Sequence, residues 1–236
     1  MVVLILILIV LFIILNIHCK IENFENQNKI TASYFINLDI SKNRRERMEK
    51  QLKKSNINFK RFSAYNGSKI NKKFDNILTK NFKNVINYDS HIFNNKKGSL
   101  GNFISQMTCW YNFYLNSNKD FLMVMEDDII INDNFNIDEI KKIILSLKKK
   151  DWTMIKLFHF GENQGSEENY LLNKAISKNH NEKHNTGMQC YILNKKKIPN
   201  LIKDITPIKN KTFDIAVKKI MNNHNVFISK DKYVST

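Results

Sequence analysis

The chain alternates short apolar runs with stretches of helical period. Residues 31–38 (TASYFINL) are β-branched, aromatic and aliphatic, which predicts a strand. Asp39-Ile40-Ser41 breaks that run. Ser41 can cap a helix over residues 44–55, where Met48 and Leu52 share one face at i, i+4. Residues 59–64 read as a second strand, closed by the turn signal Asn66-Gly67. This is a β-α-β start. Residues 68–97 are rich in Asn and Lys with little period and predict loops and a short helix. Gly98 and Gly101 then open a helical pattern carried by Ile104, Met107, Thr108, Tyr111, Tyr114 and Leu115. Residues 121–125 form a short apolar run suited to a buried strand, ended abruptly by Glu126-Asp127-Asp128. Ile140, Ile143, Ile144 and Leu147 repeat at i, i+3, i+4, i+7 and predict an amphipathic helix. Residues 153–158 and 188–193 predict further strands. Phe213, Val217, Ile220 and Met221 mark a last helix, and residues 226–229 a final strand. Strands alternating with helices imply an α/β sandwich with a largely parallel sheet. No internal repeat and no interior linker is visible.

The first 30 residues follow a different pattern. Residues 1–17 read MVVLILILIVLFIILNI, with Asn16 the only polar side chain. A helix of that length spans about 25 Å, at the low end for a bilayer core of about 30 Å. It lacks a basic n-region and no A-x-A-like cleavage site follows, so residues 1–19 read as a membrane anchor in preference to the alternative, a cleaved signal segment. Residues 20–30 are a polar stalk whose charges cancel, so the side of the membrane stays open, with the secretory pathway favoured. The remaining residues, 31–236, form one domain.

Composition changes this picture in one respect. Lys+Arg is 38 against 22 Asp+Glu, a formal charge of +16 in 236 residues. Such a balance suggests an acidic partner, nucleic acid included. The lysines are spread thinly with no basic and aromatic stripe, and Asn, Lys and Ile are all enriched, as in A/T-rich genomes. Specific nucleic-acid binding is therefore not expected. Three cysteines, without a C-x-x-C or Cys/His cluster, give no zinc site and read as buried thiols.

Two clusters carry candidate chemistry. Glu126-Asp127-Asp128 places three carboxylates directly after an apolar strand, where parallel α/β sheets bind ligands. Their mutual repulsion is relieved by a hard divalent cation, Mn²⁺ or Mg²⁺, which in turn can hold a diphosphate. The alternative is a solvated acidic turn or a helix cap. Arg44, Arg45 and Arg47 are three of the chain's four arginines and stand just after the first predicted strand. Arg presents a planar fork to phosphate oxygens. The alternative is a solvated helix face paired with Glu46 and Glu49. A metal-dependent phosphohydrolase built on the triplet lacks the second carboxylate or His cluster of a two-metal site.

The order of these pieces resembles glycosyltransferase family 25. Its members open with an "INLD" strand and an Arg-Arg-x-x-Met helix; Ile36-Asn37-Leu38-Asp39 and Arg44-Arg45-Glu46-Arg47-Met48 match. An "F-x-R-F-x-A-x-D-G" strand and turn follows, matched from Phe59 to Gly67 with Asn66 in place of Asp. The "G-E-x-G-C-x-x-S-H" helix start is echoed from Gly98 to Gln106, with Ser99, Asn102 and Gln106 where Glu, Cys and His are usual, and Trp110 follows. The acidic triplet, Asp151-Trp152, the strand after Thr186, and Pro207 with Asp214 complete the series over about residues 31–236.

The resemblance implies a GT-A type, Rossmann-like nucleotide-diphospho-sugar transferase sandwich preceded by the hydrophobic helix. It implies an inverting transfer of a hexose, galactose or glucose, from a UDP-sugar to a hydroxyl of a glycan or protein acceptor. Asn37, Leu38, Asp39 and Arg44 would flank the nucleotide, and Asn66 and Gly67 the uracil or ribose. Asp128 would hold Mn²⁺ (or Mg²⁺), with Glu126 beside it or near the ribose, and Asp127 on the donor. Asp214, which follows the last predicted loop and opens a helix, would be the general base or simply a cap on that helix, with Asp127 and Glu162 as lesser candidates and His184 a bystander. A degenerate, non-catalytic UDP-binding relative is the alternative.

Overall fold

The computed structural model describes residues 31–161, 165–175 and 185–236. The apolar segment, the stalk, Cys19, Glu162 and His184 lie outside these residues. Among the described residues no helix is long and apolar enough to cross a membrane.

In chain order the elements begin with β1 (Thr31–Asn37), α1 (Lys42–Lys54) and β2 (Lys60–Ser63). A 3₁₀ turn at Gly67–Lys69 and two short helices, α2 (Ile77–Asn81) and α3 (His91–Asn95), lead to the long α4 (Lys97–Asn116). Then come β3 (Phe121–Glu126), β4 (Ile130–Ile131), α5 (Ile137–Leu145), β5 (Met154–Lys156), β6 (Gly165–Glu167), β7 (Leu172–Ala175) and β8 (Cys190–Asn194). The chain closes with α6 (Ile198–Ile205), α7 (Phe213–Ile220), β9 (Val226–Ser229) and β10 (Val234–Ser235).

Eight strands form one sheet in the order β2-β1-β3-β8-β5-β9-β7-β6, and β4 pairs with β10 beside it. The expected β-α-β start is present: β1 runs parallel to both β2 and β3. The sheet is mixed rather than largely parallel. β8 lies antiparallel between β3 and β5, and the β6–β7 hairpin extends the far edge antiparallel to β9. Alternation of apolar residues does not encode strand direction, so the reversal at β8 was invisible in the pattern.

Both faces of the sheet are covered, each by its own core. Leu122 and Val124 of β3 pack with Tyr191 and Leu193 of β8 under α4, α6 and α7. Met123 and Met125 pack on the other face with Met48 and Leu52 of α1 and with Ile140, Ile143 and Ile144 of α5. The period-2 alternation of β3 thus feeds two layers. Ser41 stands at the N-cap of α1 without a side-chain cap bond; its carbonyl accepts instead from Arg45 N at 3.1 Å and Asn37 Nδ2 at 3.1 Å.

Candidate active site

A cleft of about 300 Å³ opens at the carboxyl ends of β1 and β3. Three pieces of backbone wall it. Leu38 and Arg44 come from the β1–α1 connection, Asn66 and Gly67 from the turn after β2, and Glu126, Asp127 and Asp128 from the end of β3. The first turns of α4 form the floor through Gly101, Asn102, Ser105 and Gln106. A larger hollow, about 860 Å³, lies at the opposite end around Thr31, Lys60 and Asn116, and among the described residues it carries no acidic side chain. In an open α/β sheet the ligand end is the carboxyl end, which favours the first cleft.

Two glycines let its walls meet. A Cβ on Gly67 would collide with the Lys97 carbonyl, and one on Gly101 would stand 2.6 Å from the Tyr65 carbonyl. Ser105 fastens the contact: its Oγ accepts from Tyr65 N at 2.8 Å and donates to the Gly101 carbonyl at 2.6 Å. Asn66 caps the 3₁₀ turn by accepting from Ser68 N at 3.0 Å.

The three carboxylates diverge. Asp127 turns toward β1 and α1. Its Oδ2 accepts from Asn37 Nδ2 at 2.6 Å, and its Oδ1 faces Arg44 Nη1 at 3.3 Å. Arg47 donates to the Asp127 carbonyl at 3.1 Å. Glu126 turns toward α4, where its Oε1 accepts from Asn102 Nδ2 at 3.0 Å and Gln106 Nε2 at 2.9 Å. Burial, with the nearby Asp128 charge adding to it, pushes Glu126 up to about 7 against the two stabilising amide bonds. Asp128 Oδ1 is buried and has no hydrogen-bond partner among the described residues.

The remaining expected residues fall elsewhere. Asn37 is buried and spent on the protein itself. Besides Asp127 it serves Ser41, and its Oδ1 accepts from Arg61 Nε at 3.0 Å. It therefore shapes the cleft from behind. Asp39 is exposed and held by Arg61 and by Ser63 Oγ at 2.8 Å, bonds that lower its pKa. It borders a smaller hollow beside Leu38 and Asn66. Arg45 pairs with Glu49 at 2.8 Å, the solvated-face alternative. Asp214 sits in the first turn of α7, accepts from Thr212 Oγ1 at 2.6 Å, and is not among the residues lining the cleft.

Sequence reasoning missed the partners of Glu126. Gln106 Oε1 accepts from the Tyr191 hydroxyl at 2.5 Å, and Trp110 Nε1 donates to that hydroxyl at 2.7 Å. The available signal was a glutamine inside the apolar stripe of a helix, four residues after Asn102. A buried polar residue is informative because it must be satisfied.

Among the described residues no group of three or more His, Cys, Asp or Glu side chains is arranged to hold a metal. The donor set still suits a cation shared with a ligand. Mn²⁺ and Mg²⁺ are commonly held by one or two carboxylates plus substrate phosphates, and the orphaned Asp128 Oδ1 is an oxygen of that kind.

The mixed sheet and this polar cleft define an α/β protein whose candidate site lies at the carboxyl ends of β1 and β3. The chain belongs to glycosyltransferase family 25 (LPS biosynthesis protein), which it matches over residues 30–221. No curated protein matches it. Among solved structures, A197 from STIV aligns at 6% identity and a TM-score of 0.42, covering 84% of this chain and 81% of that one. A glycosyltransferase involved in the glycosylation of the major capsid of PBCV-1 aligns at 7% identity and a TM-score of 0.35, covering 85% and 93%.

Proposed function

We propose that this family member is an inverting glycosyltransferase of GT-A type. It moves a hexose, galactose or glucose, from a UDP-sugar to a hydroxyl of a glycan or protein acceptor. The observation that carries the reading is the meeting, in one cleft, of Arg44, the Asn66-Gly67 turn and the acidic triplet at the strand ends.

In this reading the uracil and ribose lie against Asn66 and Gly67. Arg44, more than half exposed, swings from Asp127 to the diphosphate oxygens. Asp128 would hold Mn²⁺ or Mg²⁺, and the cation would supply charge neutralisation for the leaving diphosphate. Asn37 and Arg47 keep Asp127 in place. Inversion by direct displacement needs one carboxylate to take the acceptor proton. Asp214 is one candidate. Glu126 is favoured by position, because it lines the cleft and Asp214 does not. The apolar residues 1–19 serve as a membrane anchor on a polar stalk.

A panel of UDP- and GDP-sugars tests this, scored for hydrolysis or transfer with and without Mn²⁺. We expect turnover of a UDP-hexose that rises at least tenfold with Mn²⁺, and loss of that rise in Asp128→Asn. Calorimetry should show tighter UDP binding with Mn²⁺; equal binding in EDTA would remove the cation from the cleft. Glu126→Gln and Asp214→Asn then identify the base, since only the true base loses turnover while keeping UDP affinity. The second reading is UDP binding without transfer, which the neutral amides Asn102 and Gln106 at the cleft floor favour. It predicts binding and no turnover across the panel.

A further inference from the structure

The bonds behind Glu126 run in one direction, and chemistry fixes that direction. An indole nitrogen is a donor only, so Trp110 Nε1 must give its proton to the Tyr191 oxygen, 2.7 Å away. The Tyr191 hydroxyl has one proton, and its other hydrogen-bond partner among the described residues is Gln106, at 2.5 Å. The hydroxyl therefore donates to Gln106 Oε1. A primary amide whose oxygen is engaged on one side presents its NH₂ on the other, and Gln106 Nε2 meets Glu126 Oε1 at 2.9 Å. Trp110, Gln106 and Tyr191 are buried, so no water competes for the two inner bonds, while the Gln106–Glu126 bond is part-buried at the cleft wall. With Tyr191 absent, the amide of Gln106 gains a second orientation that turns its oxygen toward the Glu126 carboxylate.

We propose that Trp110 and Tyr191 are positioning residues for the cleft carboxylate Glu126, acting through the fixed amide of Gln106. The chain starts in the core, where Trp110 packs against Tyr191 with ring centroids 6.0 Å apart and against Phe213 at 5.3 Å. It ends at a carboxylate lining the cleft. Asn102 supplies the second bond to the same oxygen at 3.0 Å, but it is exposed and has no such lock. The proposal rests on the functional reading above only for its turnover arm.

The test is a double-mutant cycle between Tyr191→Phe and Gln106→Leu. Turnover of the UDP-hexose chosen from the panel, UDP affinity by calorimetry and near-UV circular dichroism are read for each. Tyr191→Phe removes one oxygen and keeps the ring. The expected result is a kcat about tenfold lower, with the UDP dissociation constant within twofold of the parent. Gln106→Leu should lose at least as much, and the double variant no more than Gln106→Leu alone. Full kcat in Tyr191→Phe overturns the proposal, as does a loss that multiplies with that of Gln106→Leu. A structural role alone would lower stability and shift both constants together. The second measurement needs neither turnover nor a variant that folds. In the unmutated protein the Gln106 side-chain NH₂ should show slow solvent exchange by nuclear magnetic resonance, with a cross-peak to the Glu126 side chain. Exchange as fast as an exposed amide defeats the relay even if no donor is found. Slow exchange without turnover leaves the relay standing and removes the transferase reading.

Discussion

Glu126 carries two opposing demands. The Asn102 and Gln106 amides favour its anion, while burial and the Asp128 charge disfavour it, and the net effect is a pKa pushed up to about 7. A carboxyl whose folded pKa lies above its unfolded value binds more protons when folded. Stability then falls as pH rises between about 4.5 and 7. The shift corresponds to at most about 3–4 kcal/mol by pH 8, at ~1.4 kcal/mol per unit. Glu126→Gln keeps an oxygen to accept from both amides and removes the charge. In EDTA it should raise the urea midpoint at pH 8 and leave it unchanged at pH 4. An equal change at both pH values would show that ionisation of Glu126 costs the fold nothing. Asp128 differs in kind, because its buried Oδ1 has no bond to lose among the described residues. Asp128→Asn should therefore alter cation dependence more than stability.

The cleft depends on how closely the turn at residues 65–67 approaches the first turns of α4. Gly101→Ala would force a methyl to within 2.6 Å of the Tyr65 carbonyl, a backbone atom that gives way only if the turn moves. We expect a loss of about 1–3 kcal/mol in urea unfolding, the range for overpacking, and weaker UDP binding. Gly98→Ala is the control, since a Cβ there meets nothing within 4 Å. If both variants bind UDP like the parent, the turn is not a wall of the donor site. This scale also shows what the pattern of residues can convey. Period 2 in β3 and period 3.6 in α5 were legible because each buries one face or stripe. Ile198, Leu201, Ile202 and Ile205 of α6 carry the same helical spacing, yet the reading above leaves them unassigned. The hairpin of β6 and β7 had no signal to find, because Gly165–Glu167 is exposed throughout and is held by backbone pairing and a surface ion pair between Glu167 and Lys230. Of the expected donor residues, Leu38, Arg44, Asn66, Gly67, Glu126 and Asp127 do meet in one cleft. Asn37 and Asp39 are expected at the donor from the family resemblance. In the structure one is buried behind Asp127 and the other is tied to Arg61.

Across the whole molecule the formal charge of +16 says less about function than two buried groups say about pH response. Lys156 is fully buried at the end of β5 and donates to the carbonyls of Asn185 and Thr186, the latter at 3.1 Å. Burial pulls it down to about 7, against a partial opposing pull from Asp214. A lysine with a lowered folded pKa binds fewer protons folded than unfolded. Stability should rise with pH between about 7 and 10.5 on its account. Glu126 acts with the opposite slope below 7. Together they predict a stability minimum near neutral pH, where each group is most at odds with its surroundings. Urea midpoints taken from pH 4.5 to 10 in EDTA should show that dip. Lys156→Met keeps the apolar stem and removes the charge, so it should steepen nothing below pH 7 and abolish the rise above it. Combining it with Glu126→Gln should flatten the profile. A maximum at pH 7 in the parent protein would mean that surface charge, not these two buried groups, sets the pH response. Mn²⁺ with UDP should fill the dip, because a cation in the cleft favours the Glu126 anion and binds only the folded chain.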